Sequence, residues 1–319
     1  MAPAVSSRGS EDSAAIRAAW LHYIAGLTQA EVAVRLGVPN VKAHRMIARA
    51  AQNGAVKVTI VGDVVECAAL ENALCARFDL ASCEVVPDLH ELDVPLMALG
   101  AAGAAFLERE IELSSRGVIG IGNGRTLAAS VSGMAPLAGS GVRFVSLLGG
   151  LTRNYAANPF DVMHRLAEKT EAESYAMPAP FFANKPEDRA VILAQPGVQE
   201  VRALAENADL MIVGIGAVYE GAHLVTSRIV SPEDMEEVVA RGGVGEMLGH
   251  FFDARGKPVE TSLTGRVLSL PLNALRGRRI VAIAGGSDKV EAVQAVLRSG
   301  LLAGLIIDEK TAELLIGKP

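Results

Sequence analysis

Four glycine-rich segments carry the residue types from which this chain could build a site for a small polar molecule. They are Gly120-Ile121-Gly122-Asn123-Gly124-Arg125-Thr126, the Leu147–Asn154 run LLGGLTRN, the Val213–Val218 run VGIGAV and the Ala284–Lys289 run AGGSDK. Glycines let backbone amides approach an anion or a hydroxyl, and a helix that starts directly afterwards favours negative charge. Gly122, Asn123, Gly124, Arg125 and Thr126 suit phosphate or hydroxyl groups, with Gly149 and Gly150 in the second segment as further close-approach positions. Glu246, in GGVGEMLGHFFD, supplies a carboxylate that accepts from sugar hydroxyls, and Lys289 a cation that holds a phosphate. Arg153, Asn154 and Asn158 are additional donors to hydroxyls.

Other chemistries lack their residues. The first segment has no third glycine at dinucleotide spacing, and no acidic residue ends a second strand, so no nicotinamide cofactor is expected. Neither HxH, HExxH nor DxD marks a metal site, and neither GxSxG nor a Cys/His pairing marks a nucleophile. His164 and His250 read as structural histidines. The three cysteines, Cys67, Cys75 and Cys83, stand eight apart with no CxxC pair, which fits neither a disulfide framework nor zinc.

The elements that must position these loops are short apolar runs alternating with helical patterns. Strands are expected at 117–120, 142–148, 210–214, 279–284 and 302–307, with helices on both faces of a mostly parallel sheet. In such a doubly wound α/β sheet, ligands collect at the carboxyl ends of the strands, where the glycine turns would converge.

The chain's first sixty residues have a different character. Residues 1–57 hold seven Lys and Arg against three Asp and Glu, so a +4 head precedes a body of −10 within a net charge of −6. A helix is expected from Ser13 to Ile24, with Ile16, Ala19, Trp20, Tyr23 and Ile24 inward and Gly26 closing it. Thr28-Gln29-Ala30-Glu31 has the form of a capping box and starts a second helix with Ala30, Val32, Ala33 and Leu36 inside. Gly37 turns the chain into a third helix over 40–52, with Val41, Ile47 and Ala48 inside. Helix, glycine turn and basic helix are the parts of a helix-turn-helix that lays its last helix in the major groove. Asn40, Lys42, His44 and Arg45 are the expected base and phosphate contacts, with Thr28, Gln29 and Arg49 flanking them. The alternating run AVKVTIVGDVVE reads as a β-hairpin, a wing or a connector.

The leader MAPAVSSRGSEDS is small and polar and lacks the apolar region of a signal peptide, which predicts a disordered start and a cytoplasmic protein. Half of the residues are hydrophobic, yet no run of about eighteen apolar residues occurs, so no membrane span is expected. The expected divisions are a leader at 1–12, a helix-turn-helix domain at 13–61 and an effector-binding and oligomerisation domain at 62–319.

From Ile16 to Ile316 the chain resembles the SorC/DeoR-like family of bacterial sugar-binding transcriptional regulators. The resemblance is carried by AAWLHYIAGLTQAEVAVRLGV, GIGNGRTL, SLLGGLTRN, ADLMIVGIG, VGEMLGHFFD and IAGGSDKVEAVQAVLRSGL. Within that family, the stretch from LLGGLTRN to FFAN looks most like repressors of erythritol catabolism. The resemblance implies a winged-helix-like DNA-binding domain and an effector domain built like sugar-phosphate isomerases and deaminases. It implies a homo-oligomer, dimer or tetramer, on operator DNA, controlled by a polyol or sugar phosphate at Gly122–Thr126, Gly149, Gly150, Glu246 and Lys289. No catalysis, metal or cofactor is implied. Asn123 stands where many members have Trp, and Pro39 where many have a Ser or Thr cap. The alternative is an isomerase- or deaminase-type enzyme with an appended DNA-binding head, using Glu246 or Asp288 as base.

Overall fold

The computed structural model describes residues 7–56, 65–91, 94–114, 116–137, 141–150 and 162–317. The chain divides into two compact units, Met1–Gly62 and Asp63–Pro319.

In the first unit, α1 (Ser7–Tyr23), α2 (Gln29–Leu36) and α3 (Asn40–Gln52) pack on one another. Thr28 caps α2 in a complete capping box. Its N–H donates to Glu31 Oε2 at 2.8 Å, and the Glu31 N–H donates to Thr28 Oγ1 at 3.3 Å. The Thr28 hydroxyl also donates to Glu31 Oε2 at 2.8 Å, and the two donations from Thr28 hold the Glu31 carboxyl below its ordinary value, the backbone one most strongly. Gly37 closes α2 in the left-handed conformation at φ 64°, which turns the chain directly into α3.

Three expectations for this unit are corrected. Helix α1 begins at Ser7, so the second half of the expected leader is helical. Its buried stripe is Ala15, Ala18 and Ala19, whereas Ile16, Trp20, Tyr23 and Ile24 are exposed. Small side chains let α1 approach α3 closely, and that contact selects the alanine face over the bulkier one. Likewise Ala30 and Val41 are exposed, and Ala43, Ile47 and Ala50 form the inner face of α3. Of the expected hairpin AVKVTIVGDVVE, residues 57–64 lie outside the described residues, and Val65 and Glu66 already belong to a helix.

The second unit contains α4 (Val65–Phe78), β1 (Ser82–Val86), α5 (Leu96–Leu113), β2 (Val118–Ile121), α6 (Arg125–Gly133), β3 (Arg143–Gly150), α7 (Val162–Thr170) and β4 (Ser174–Pro180). Next come α8 (Pro186–Leu193), α9 (Pro196–Glu206), β5 (Leu210–Val213), β6 (Gly216–Ala217), α10 (His223–Thr226) and α11 (Pro232–Ala240). It closes with β7 (Gly243–Met247), β8 (His250–Asp253), α12 (Leu272–Leu275), β9 (Ile280–Ile283), α13 (Val290–Arg298), β10 (Gly304–Asp308) and α14 (Glu309–Ile316). A seven-stranded sheet runs β1-β10-β9-β5-β2-β3-β4, with every neighbouring pair parallel. This is the expected doubly wound α/β architecture, and all five expected strands lie in it.

Alternation along the strands shows why. Leu210 and Ile212 join the core beneath α5 and α6, while Met211 and Val213 join the opposite core that includes residues of α4 and α13. Strands buried on both faces read as continuous apolar runs. A second sheet, β6-β7-β8, is antiparallel. Among the described residues, no helix is long and apolar enough to cross a membrane.

Removing the cap in Thr28→Ala should cost about 1 kcal/mol. Hydrogen exchange of the full chain would show it as faster exchange of the first amides of α2. Unchanged protection there would mean that the box contributes nothing.

Candidate functional site

The carboxyl ends of β2, β5 and β9 open into one cavity of about 110 Å³. The turn from β2 into α6 contributes Asn123, Gly124, Arg125 and Thr126, and the turn after β9 contributes Asp288 and Lys289. Glu246 and Leu248 come from the β7–β8 hairpin. Tyr219, His223, Leu224 and Ile229 come from the segment around α10, and Leu148, Phe181 and Ile215 supply apolar wall. Charged and hydroxyl-bearing groups against a partly apolar wall form an ordinary small-ligand lining.

The charged groups belong to one electrostatic system. Glu246 keeps some exposed surface, but that surface faces the cavity, and desolvation by the surrounding protein pushes its carboxyl up to about 7. Two weaker effects oppose this: the Gly249 N–H donating to Oε1 at 2.6 Å, and the charge of Lys289. Burial, and then the neighbouring Arg125, hold Lys289 below its ordinary value, against the opposite pull of Asp288 and Glu246. His223 is also held low, first by burial and then by Arg125 and Lys289. Its ring lies 3.0 Å from Ser227 Oγ. Helix α6 starts at Gly124 without a side-chain cap, so its first turn presents backbone donors beside Arg125.

The chain matches the family described as "Putative sugar-binding domain" over residues 62–317. It is 58% identical over 310 residues to the erythritol catabolism regulatory protein EryD of Brucella abortus, covering 97% of this chain and 98% of that one. The chain belongs to the family of sugar-binding transcriptional regulators. It is also 30% identical over 323 residues to the transcriptional regulator LsrR of Escherichia coli K12, covering 98% of each chain. The full-length sorbitol operon regulator SorC of Klebsiella pneumoniae superposes with a TM-score of 0.70 at 25% identity, covering 96% of this chain and 99% of that one. These relatives are regulators, and the enzyme alternative falls with them.

Within this regulator the expected site residues separate. Asn123, Gly124, Arg125, Thr126, Glu246 and Lys289 all line the cavity. The Thr126 hydroxyl, however, donates to the Ile283 carbonyl at 2.8 Å, tying α6 to β9. Asn123 Oδ1 accepts from the Gly124 N–H at 2.7 Å and so shapes the turn. Gly122 is buried beneath the turn, its N–H donating to the Ile212 carbonyl at 2.8 Å.

Gly149 and Gly150 do not line the cavity. They pair with Met177 and Pro180 of β4, and a Cβ on Gly149 would fall 2.1 Å from the Pro180 carbonyl oxygen, so backbone crowding requires the glycine. Two more expectations change. VGIGAV leads into β6 rather than a helix, and His164 is exposed on α7, 3.3 Å from Glu168. His250 is buried, with Nε2 2.8 Å from the Leu270 carbonyl oxygen. Arg153, Asn154 and Asn158 lie outside the described residues. Sequence reasoning missed Tyr219 and His223. Their one signal was their position just after a glycine-rich turn at the end of β5.

On α3, Asn40, Lys42, His44 and Arg45 are exposed. Arg49 is partly buried and pairs with Asp12 at 2.9 Å, and the Thr28 hydroxyl is held in the capping box. Gln29 Oε1 lies 3.1 Å from His44 Nδ1, linking α2 to the start of α3.

A carboxyl raised from 4.5 to about 7 on folding favours the folded state most below its unfolded value, and this contribution is lost as pH rises through 7. The loss amounts to about 3 kcal/mol. His223, held low, contributes in the opposite sense, so the comparison of parent with Glu246→Gln isolates Glu246. Denaturant unfolding at pH 5 and pH 8 should show a steeper loss in the parent. Parallel profiles would rule out a buried titration at Glu246.

Proposed function

We propose that this regulator is a repressor of a carbohydrate or polyol catabolic operon, and that a short-chain polyol such as erythritol, or its phosphate, binds the cavity and releases it from operator DNA. The observation that carries this reading is the convergence of Arg125, Lys289, His223 and Glu246 on one cavity at the strand carboxyl ends. Cations beside uncapped helix amides suit oxyanions or hydroxyl oxygens, and Glu246 accepts from hydroxyls. Likeness to a regulator of erythritol catabolism supports the same ligand class.

The head acts through α3. Asn40, Lys42, His44 and Arg45 meet bases and phosphates, Gln29 orients His44, and Thr28 and Arg49 hold the helices that present them. A helix-turn-helix reading a two-fold operator needs at least a dimer, and the assembly proposed here is a cytoplasmic homo-oligomer, dimer or tetramer. DNA and effector are then two ligands of one assembly with reciprocal coupling. A coupling of about 1–3 kcal/mol changes operator affinity roughly 5- to 150-fold.

Thermal unfolding across erythritol, other tetritols and pentitols, and their phosphates tests the effector. One compound should raise the apparent melting temperature, and Arg125→Ala or Lys289→Ala should abolish the rise. A panel without any shift, in protein that still retains promoter DNA, would remove the polyol assignment and leave the regulator. Lys42→Ala and Arg45→Ala should each weaken promoter binding, and each lost phosphate contact should lower the salt slope by about one. Unchanged retention in both variants would move the DNA interface away from α3.

A further inference from the structure

The carboxylate of Glu246 is clasped between two backbones. In the antiparallel ladder of the small sheet, Glu246 on β7 pairs with Gly216 on β6. A Cβ built on Gly216 would lie 2.6 Å from Glu246 Oε2, closer than a side-chain carbon and an oxygen can approach without displacement. The other oxygen, Oε1, accepts the Gly249 N–H at 2.6 Å.

That N–H is presented by a turn in which Leu248 and Gly249 take positive φ in succession, 53° and 79°, joining β7 to β8. Two successive left-handed residues are the pattern of a tight type I′ hairpin, and a leucine in the first of them is an uncommon, strained choice. The Ser269 hydroxyl fixes the turn by donating to the Leu248 carbonyl at 2.5 Å. One face of the clasp is therefore held rigidly. The other depends on the absence of a side chain at position 216.

We propose that Gly216 is a positioning residue of this cavity: by offering no side chain, it lets Glu246 lie against β6, so that the carboxylate keeps one orientation and the space beside it stays open for a hydroxylated ligand. The inference rests on the reading of the cavity as the effector site. A side chain at 216 forces Glu246 Oε2 to move, and in this proposal the movement breaks the bond to Gly249 and takes space from the ligand. A shorter acid relieves the collision, which makes the claim separable from a general loss of packing.

The test uses full-length Gly216→Ala, Glu246→Asp, the double variant and Glu246→Gln, with erythritol as the probe in titration calorimetry and circular dichroism as the check on folding. Gly216→Ala should weaken erythritol binding on the order of 10- to 100-fold, the cost of losing one hydrogen bond to a charged group. The double variant should bind more tightly than Gly216→Ala alone. Parent-like binding by Gly216→Ala, or losses in the double variant that simply add, would overturn the inference.

If Gly216→Ala does not fold, recovery of folding in the double variant supports the collision, and failure to recover refutes it. Loss of binding in Glu246→Gln with Gly216→Ala unaffected defeats this inference and leaves the effector site standing. If the parent binds no erythritol, the effector reading fails instead. The collision is then judged by whether Glu246→Asp restores the melting temperature lost in Gly216→Ala.

Discussion

Parallel pairing of β2 with β5 and β3 is the constraint from which the cavity follows. Because the strands of the main sheet run in one direction, each chain segment leaving a strand emerges at the same edge. The turns after β2, β5 and β9 are thereby brought together without any of them being adjacent in sequence. Helix α6 is pinned at that edge through Thr126 and the carbonyl of Ile283. The turn before Lys289 is pinned through the Gly286 N–H, which donates to Asp308 Oδ2 at 3.0 Å. Asp308 is buried and also accepts from the Thr311 hydroxyl at 2.7 Å. The polar site stands on a frame whose own hydrogen bonds are already made.

That frame holds charges at a cost. Glu246 is displaced towards its neutral acid, while Lys289 and His223 are displaced towards their neutral bases, in each case chiefly by loss of water. Partial mutual compensation leaves charged groups facing a cavity with part of their water removed by folding. The small antiparallel sheet matters here because it is the element that carries a carboxylate into the cationic corner.

The strands legible from the residues alone were those buried on both faces, since a continuous run such as LMIV or IVAI has few alternatives. The two unread strands of the main sheet are its edges. SCEVV carries a cysteine and a glutamate, and SYAMPAP carries two prolines, which a sheet tolerates where one side needs no partner. The capping box and Gly37 were legible because local hydrogen bonding decides them. The inner face of α1 was not, because the pattern points to Trp20 and Ile16 while close helix packing selects alanine. In the site, Glu246 and Lys289 were legible as charges beside glycines. Gly149 shows the limit of that argument, since glycine beside a neighbouring strand and glycine beside a ligand leave the same letter in the sequence.

The fully buried residues of the three-helix head are Ala15, Ala18, Ala19, Val32, Ala33, Ala43, Ile47 and Ala50, with Leu21, Leu27, Leu36 and Met46 packed around them. Such an interior has little volume to lose and none to gain, since each added methylene group pushes helices apart at a cost of about 1–3 kcal/mol. Drift at the fully buried positions is therefore confined to small residues, whereas Asn40, Lys42 and Arg45 on α3 are exposed. Change at those outer positions can proceed one side chain at a time without renegotiating how the head folds.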